Sequence, residues 1–375
     1  MNLFEEIRIG DITLRNRFVM APMTRSRSPE DIATEATALY YTQRATTGLI
    51  VSEGTPISRE GQGYLFNPGI FTSKQIAGWK LVTDSVHSAG GKIFAQLWHV
   101  GRVSHTSIQV EGSAPVSASS KTAEGAVAFG YGEDGEPGFV ATSKPKPLST
   151  EEVGRVVQDF VKAAENAIEA GFDGVELHGA NGYLFEQFIN PKVNDRDDQY
   201  GAQSLENRLR FAFEVVDAVC ARIGAGRVGI RISPYGQLMD MPLYDEIDQT
   251  YSALCAGLGE RGIAYVHVMD QTNFFLRSES AVARDEALRA LLRSCRKGLK
   301  DTALILAGDL TLERAQELVE SGLIDLPAFG QPFIANPDLV VRLKNGWPLA
   351  VANKETYYGG GLEGYIDYPP YVAEA

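Results

Sequence analysis

Residues 149–183 read STEEVGRVVQDFVKAAENAIEAGFDGVELHGANGY, and this stretch carries both halves of a repeating unit. Val153, Val156, Val157, Phe160, Val161, Ala164 and Ile168 fall on one stripe at helical spacing, which predicts an amphipathic helix over residues 151–170. Its ends are marked by a capping box of Ser149 with Glu152 and by Gly171 as the C′ residue. Residues 174–180 then read as a short strand that ends in polar chemistry, with His178, Asn181 and Tyr183 following one another closely.

Working outward, the same alternation recurs along the chain. Short apolar runs stand at 17–23, 48–57, 92–99, 174–180, 227–233, 265–270, 304–309 and 326–331, and helical patterns intervene at 73–89, 205–223 and 311–321. Most of the runs are too uniformly apolar for a half-exposed antiparallel sheet and suit parallel strands buried on both faces. Eight such alternations make a single α/β domain, a (β/α)₈ TIM barrel over residues 1–375, the leading architecture; a doubly wound sheet with an appended domain is the alternative. Residues 7–10 and 12–14, split by a Gly-Asp turn, predict an N-terminal hairpin closing the barrel bottom. Residues 104–147, rich in Gly, Ser, Pro and Ala, form a long insertion after the third strand. It is either a lid over the mouth or a surface flap.

Composition narrows the function. Of 375 residues, 44% are hydrophobic and 22% charged, the profile of a soluble folded chain. A formal net charge of −13 repels nucleic acid and anionic lipid, so any bound phosphate must be held locally by backbone amides, helix N-termini or a few placed cations. The three cysteines, Cys220, Cys255 and Cys295, are far apart and include no C-x-x-C, which argues against disulfides or a thiolate metal site. The N-terminus has no apolar leader run and no segment approaches a membrane span, so a cytoplasmic setting is expected.

In a barrel, the C-terminal ends of the strands face one mouth. Those ends carry Pro22, Met23 and Thr24; Glu53 and Gly54; Gln96, Trp98 and His99; His178, Asn181 and Tyr183; Arg231; Gly308; and Gly330. The set contains no metal-ligand spacing, no strand-end lysine for a Schiff base, and no histidine partner for Ser233. Rossmann and P-loop glycine motifs are missing too, so a nicotinamide would dock only transiently. An organic cofactor suits what remains. His178 and Asn181 are placed to hold a carbonyl oxygen that gains charge, and Tyr183, a protonated phenol at neutral pH, to protonate the neighbouring carbon. The same three residues could instead satisfy loop backbone.

The chain resembles the old yellow enzyme family of FMN-dependent alkene reductases over essentially its whole length. The matching blocks are NRFVMAPMTR at 16–25, AQLWHVGR at 95–102, DGVELHGANGY at 173–183, Asn207-Arg208, RISP at 231–234, Phe329-Gly330, NPDL at 336–339, Tyr358-Gly-Gly and GYIDYP at 364–369. The resemblance implies FMN with its ring near Pro22, Met23, Thr24, Gly54, Gln96 and Arg231 and its phosphate near Gly308, Gly330 and Gln331. It also implies a substrate pocket of Tyr64, Trp98, Tyr235 and Tyr358, whose alternative role is ordinary barrel packing. Thr24, where other members carry Cys, looks like the branch that includes pentaerythritol tetranitrate reductase. The implied reaction takes hydride from NADPH or NADH and delivers it to electron-poor alkenes activated by a carbonyl or nitro group. His178 and Asn181 would bind the activating oxygen, and Tyr183 would be the proton donor. Nitrate-ester or nitroaromatic reduction on the same flavin is the enzymatic alternative. Two departures oppose FMN binding: Gln331 stands where the family usually has Arg, and Asp309 follows Gly308 where a neutral residue is common. They leave open a barrel with weakened FMN binding that serves as a binding protein, or another cation at the phosphate.

Overall fold

The computed structural model describes residues 2–372 apart from 273–275 and 277. Eight parallel strands close into a barrel: Val19–Met20, Leu49–Pro56, Ile93–Trp98, Gly174–Gly179, Val228–Ile232, Tyr265–Met269, Ala303–Ala307 and Leu326–Phe329. The ring is completed where Ala328 pairs with Val19 and Phe329 with Met20. Every strand residue is buried except the half-buried Met269. That is why the runs show no alternation: one face packs inside the barrel and the other under helices. The doubly wound alternative is excluded.

Every expected strand stops short of its C-terminal bound, the first most of all, and the seventh begins one residue early, at Ala303. Ala21 still donates to the carbonyl of Phe329 at 2.9 Å, but Pro22 has no N–H to continue the ladder. The last strand stops at Phe329, and Gln331 opens the short helix Gln331–Ala335 instead of ending a strand.

The helix Thr150–Glu169 has the reciprocal Ser149–Glu152 capping box and buries Val153, Val156, Val157, Phe160 and Ala164. Gly171 follows at φ +92°, a backbone state that L side chains avoid. Similar outer helices span Ser73–Ser88, Leu205–Ile223 and Leu312–Glu320. The hairpin pairs Ile7–Ile9 with Ile12–Leu14. Asp11 N–H donates to the carbonyl of Gly226 at 3.0 Å, and Ile9, Ile12 and Leu14 pack against Val19, Leu49 and Tyr265 at the barrel bottom.

The insertion is built from β structure. Val127–Tyr131 pairs antiparallel with Pro137–Ala141, and Val116–Ser117 pairs with Lys146–Pro147. Phe129 N–H donates to Gly63 and Leu65 N–H to Phe129, which ties the hairpin to the loop after the second strand. Among the described residues, no helix is long and apolar enough to cross a membrane.

Candidate active site at the barrel mouth

The C-terminal strand ends surround a cavity of about 1080 Å³, just above the usual range for ligand sites. Pro22, Met23, Thr24, Gly54, Gln96 and Arg231 line one part of it. Trp98, His178, Asn181 and Tyr183 line another, and Gly308, Gly330 and Gln331 lie along the seventh and eighth strand ends. Tyr64 and Tyr358 complete the wall expected from the sequence.

Tyr235 does not belong to this wall. Its φ is +64°, its hydroxyl donates to Asp248, and it lines a separate small cavity beside Glu186 and Tyr251. The turn after the fifth strand carries it away from the mouth. Glu53 is also turned away: a register shift between Val51 and Gly54 presents Gly54 to the cavity, while the Glu53 carboxylate accepts from Arg25 N–H at 3.3 Å and from the Tyr41 hydroxyl at 3.4 Å. Burial pushes that carboxyl up to about 7. His99 is likewise buried outside the cavity, 3.8 Å from Glu60.

Beneath the mouth lies a buried polar network. Gln96 Nε2 donates to Glu176 Oε1 at 2.8 Å, and Glu176 Oε2 meets His267 Nδ1 at 2.8 Å. Desolvation raises the Glu176 pKa, but His267, Arg231 and Gln96 together outweigh it and leave the carboxyl below its ordinary value. Because the carboxylate can only accept, the Gln96 amide must present its NH₂ to Glu176 and keep its oxygen for a donor in the cavity. Arg231 keeps its charge in the same layer; burial lowers its pKa, with Glu176 opposing.

The opposite group is tuned for donation. His178 is held well below the ordinary imidazole pKa by burial and by the charges of Arg231 and His267, so it is neutral at pH 7. Tyr183 is held well above the usual phenol value by burial and by Tyr64, whose hydroxyl lies 3.3 Å from its own. Trp98 fixes this cluster, edge-on to Tyr183 at 4.9 Å and stacked on Tyr64 at 5.3 Å. A Cβ on Gly54 would come within 2.3 Å of the Trp98 ring, so the second strand must be bare there.

FMN fits these residues. Arg231 Nε, His178 Nδ1, Asn181 Oδ1 and Trp98 Nε1 are buried yet have no hydrogen-bond partner among the described residues, an arrangement that a polar ligand would satisfy. A Cβ on Gly330 would have Met23 Sδ at 3.6 Å as its nearest neighbour, so this backbone borders open cavity space. Beside it the cavity wall includes Gly308 at φ +139°, Asp309 and Lys354.

Several functional positions were not anticipated from the sequence. Val127, Phe129 and Phe139 bring the insertion hairpin onto the cavity. Arg25 and Arg27, both buried, donate to the carbonyls of Thr356, Tyr357, Gly361, Glu363 and Gly364, strapping the segment that carries Tyr358 and Lys354 over the mouth. The Thr-Arg-Ser-Arg run after the first strand was the only local sign, since two arginines leaving a buried strand must find acceptors.

Residues 2–350 match the model of the NADH:flavin oxidoreductase / NADH oxidase family. The chain is 42% identical over 370 residues to 12-oxophytodienoate reductase 1 of Oryza sativa subsp. japonica, covering 98% of this chain and 92% of that one. It is 40% identical over 374 residues to 12-oxophytodienoate reductase 2 of Arabidopsis thaliana, covering 98% and 95%. Morphinone reductase in complex with tetrahydroNAD superimposes with a TM-score of 0.93 at 42% identity, over 99% of this chain and 98% of that one. The old yellow enzyme homologue from Zymomonas mobilis gives 0.91 at 37% identity, over 99% and 100%. With that similarity running the length of the barrel and the mouth built to receive FMN, the chain belongs to the old yellow enzyme family and is an NAD(P)H-dependent flavin oxidoreductase.

Proposed function

We propose that this chain reduces the activated C=C of α,β-unsaturated carbonyl or nitro compounds, with NADPH or NADH as hydride source and Tyr183 as proton donor. The observation that carries the reading is the meeting of a neutral His178, Asn181 and a protonated Tyr183 on one cavity wall. Bound FMN supplies a two-electron hydride carrier between nicotinamide and alkene. Pro22, Met23, Thr24, Gly54, Gln96 and Arg231 would hold its ring, and Gly308, Gly330 and Gln331 its phosphate.

The remaining roles follow from the side chains. His178 and Asn181 donate to the oxygen of the activating group and stabilise the negative charge that develops there. Tyr183 gives its proton to the adjacent carbon, and its raised pKa keeps that proton in place until a basic carbon forms. Tyr64, Trp98 and Tyr358 shape an aromatic slot for a flat substrate. The whole chain works as one FMN-binding domain with residues 104–147 as its cover, and its three free cysteines suit a reducing cytoplasm. Stopped-flow reduction by each nicotinamide, then reoxidation with a panel of enones, nitroalkenes and nitrate esters, tests the reading. Reoxidation by nitrate esters alone would overturn it.

The cover gives a prediction. Val127, Phe129 and Phe139 reach the cavity from the hairpin Val127–Tyr131 with Pro137–Ala141, so shortening that hairpin should change KM for substrate or nicotinamide while FMN stays bound. Steady-state kinetics on a folded deletion checks this, and unchanged constants would reduce the segment to decoration.

A second prediction concerns the phosphate. A guanidinium makes two charge-assisted bonds to phosphate where the Gln331 amide makes one neutral bond, a difference of about 1–2 kcal/mol. Gln331→Arg should therefore tighten FMN binding by roughly five- to thirtyfold. Fluorescence titration of apoprotein with FMN reads it directly. An equal or weaker affinity would mean that another group, such as Lys354 on the same cavity wall, already holds the phosphate.

A further inference from the structure

The loop that carries Asn181 is bent in a way that needs external support. Asn181 sits at φ +60° and Gly182 at φ +81°, two successive residues in the left-handed region between the fourth strand and the helix Leu184–Ile189. Asn tolerates that region better than most side chains, but a reactive loop held there still requires its amides to be anchored.

The anchor is Glu186, which the proposed chemistry does not use. Its Oε2 accepts from Gly182 N–H at 2.5 Å. Its Oε1 accepts from the Ser233 hydroxyl at 2.8 Å and from the Tyr251 hydroxyl at 2.9 Å. The Ser233 oxygen in turn accepts from Asn181 N–H at 2.8 Å. Three elements distant in sequence thus converge on one buried carboxylate. Ser233, which had no histidine to make it a nucleophile, is the link between that carboxylate and the Asn181 backbone.

We propose that Glu186 is a positioning residue for the substrate clamp: directly through Gly182 and indirectly through Ser233, it holds the Asn181–Gly182 backbone so that the Asn181 side chain faces the substrate oxygen. The inference rests on the clamp role given above to His178 and Asn181. Accepting three bonds requires the ionised form, because a protonated carboxyl must spend one oxygen as a donor. Burial raises Glu186 to about 7, and its bonded partners are neutral. The titratable side chains around it are Tyr235, Tyr244 and Tyr251 on the wall of the small cavity, all raised above the ordinary phenol value. Asp248 is bonded to Tyr235, and Arg208 lies 5.4 Å from the centre of the Tyr244 ring with Glu246 at 4.0 Å. As pH falls through about 7, Glu186 takes up a proton and one of its three bonds is lost, which loosens the clamp. His178, held well below its ordinary pKa, does not titrate in that window.

The test compares wild type, Glu186→Gln and Ser233→Ala as FMN-loaded proteins, titrated with 2-cyclohexenone and read by the flavin absorbance change. Wild-type affinity should fall by about fivefold from pH 8 to pH 6, following the ionised fraction of a group titrating near 7 with the protonated form still binding at about one tenth of the affinity. Glu186→Gln should bind about tenfold more weakly than wild type at pH 8 and show no pH dependence, with FMN affinity within twofold of wild type. Ser233→Ala, which cuts only the Asn181 link, should weaken the enone at pH 8 in the same direction. Hydrogen exchange at the Asn181 and Gly182 amides supplies an arm independent of substrate, and both should exchange about tenfold faster in Glu186→Gln. Enone affinity within twofold of wild type in Glu186→Gln, or a surviving pH profile, overturns the proposal. So does unchanged amide exchange. If wild type binds no enone while the amides respond as expected, the clamp reading fails and the anchoring of the loop stands.

Discussion

Tyr183→Phe is expected to slow reoxidation by enones by about 10²- to 10⁴-fold, the range for loss of a positioned general acid. Reduction by NADPH or NADH should be nearly unaffected, because the proton is needed only when the substrate carbon accepts hydride. The structure sharpens the expectation in two ways. Burial and the Tyr64 contact keep Tyr183 protonated well past neutrality, so the wild-type proton-transfer step should show no loss from phenol ionisation at pH 7–9. Phe keeps the ring packed edge-on against Trp98, so the loss reads the hydroxyl rather than a collapsed pocket. Nitroalkenes should be the exception, since a nitronate can leave and be protonated by water. Stopped-flow measurement of both half-reactions decides the matter, and equal losses in each would make Tyr183 structural.

His178→Ala and Asn181→Ala should each cost about 10²-fold or more in the oxidative half-reaction, the usual consequence of removing a donor from an oxygen that becomes negative. The neutrality of His178 matters here. A neutral imidazole donates one N–H without placing a second cation beside Arg231, and its depressed pKa means that the donor does not change character between pH 6 and 9. The loss in His178→Ala relative to wild type should therefore be flat across that range, whereas the loss in Asn181→Ala should shrink below about pH 7, where Glu186 takes up a proton and the wild-type clamp itself loosens. Reoxidation at wild-type rates in both variants would remove the clamp. Acting on one oxygen, the two substitutions should also be less than additive when combined.

How much of this was legible in the residues depends on the distance over which each feature is determined. The barrel could be read because burial on both faces leaves a mark within each strand, and helix caps such as Ser149 with Glu152 lie within four residues of one another. The mouth could be read almost as well. In a closed parallel barrel every strand end points the same way, so Gln96, His178 and Arg231 had to meet once closure was granted. Their proximity follows from topology, and topology from local periodicity.

Side-chain direction at the irregular points did not follow. Glu53 and Gly54 are adjacent, but a register shift inside the second strand turns one inward beneath Arg25 and gives the other to the cavity. Tyr235 lies four residues after Arg231, but a left-handed backbone sends it to Asp248. The arginines after Thr24 find their acceptors more than 300 positions away, at residues 356–364, and Ser233 finds Glu186 from 47 positions away. A sequence reports φ, ψ preference and hydrophobic period, which are set by near neighbours. Which buried donor meets which buried acceptor is set only when distant elements pack together, because an unpaired polar group in the interior is costly and each partner is chosen from whatever the closed fold brings within reach.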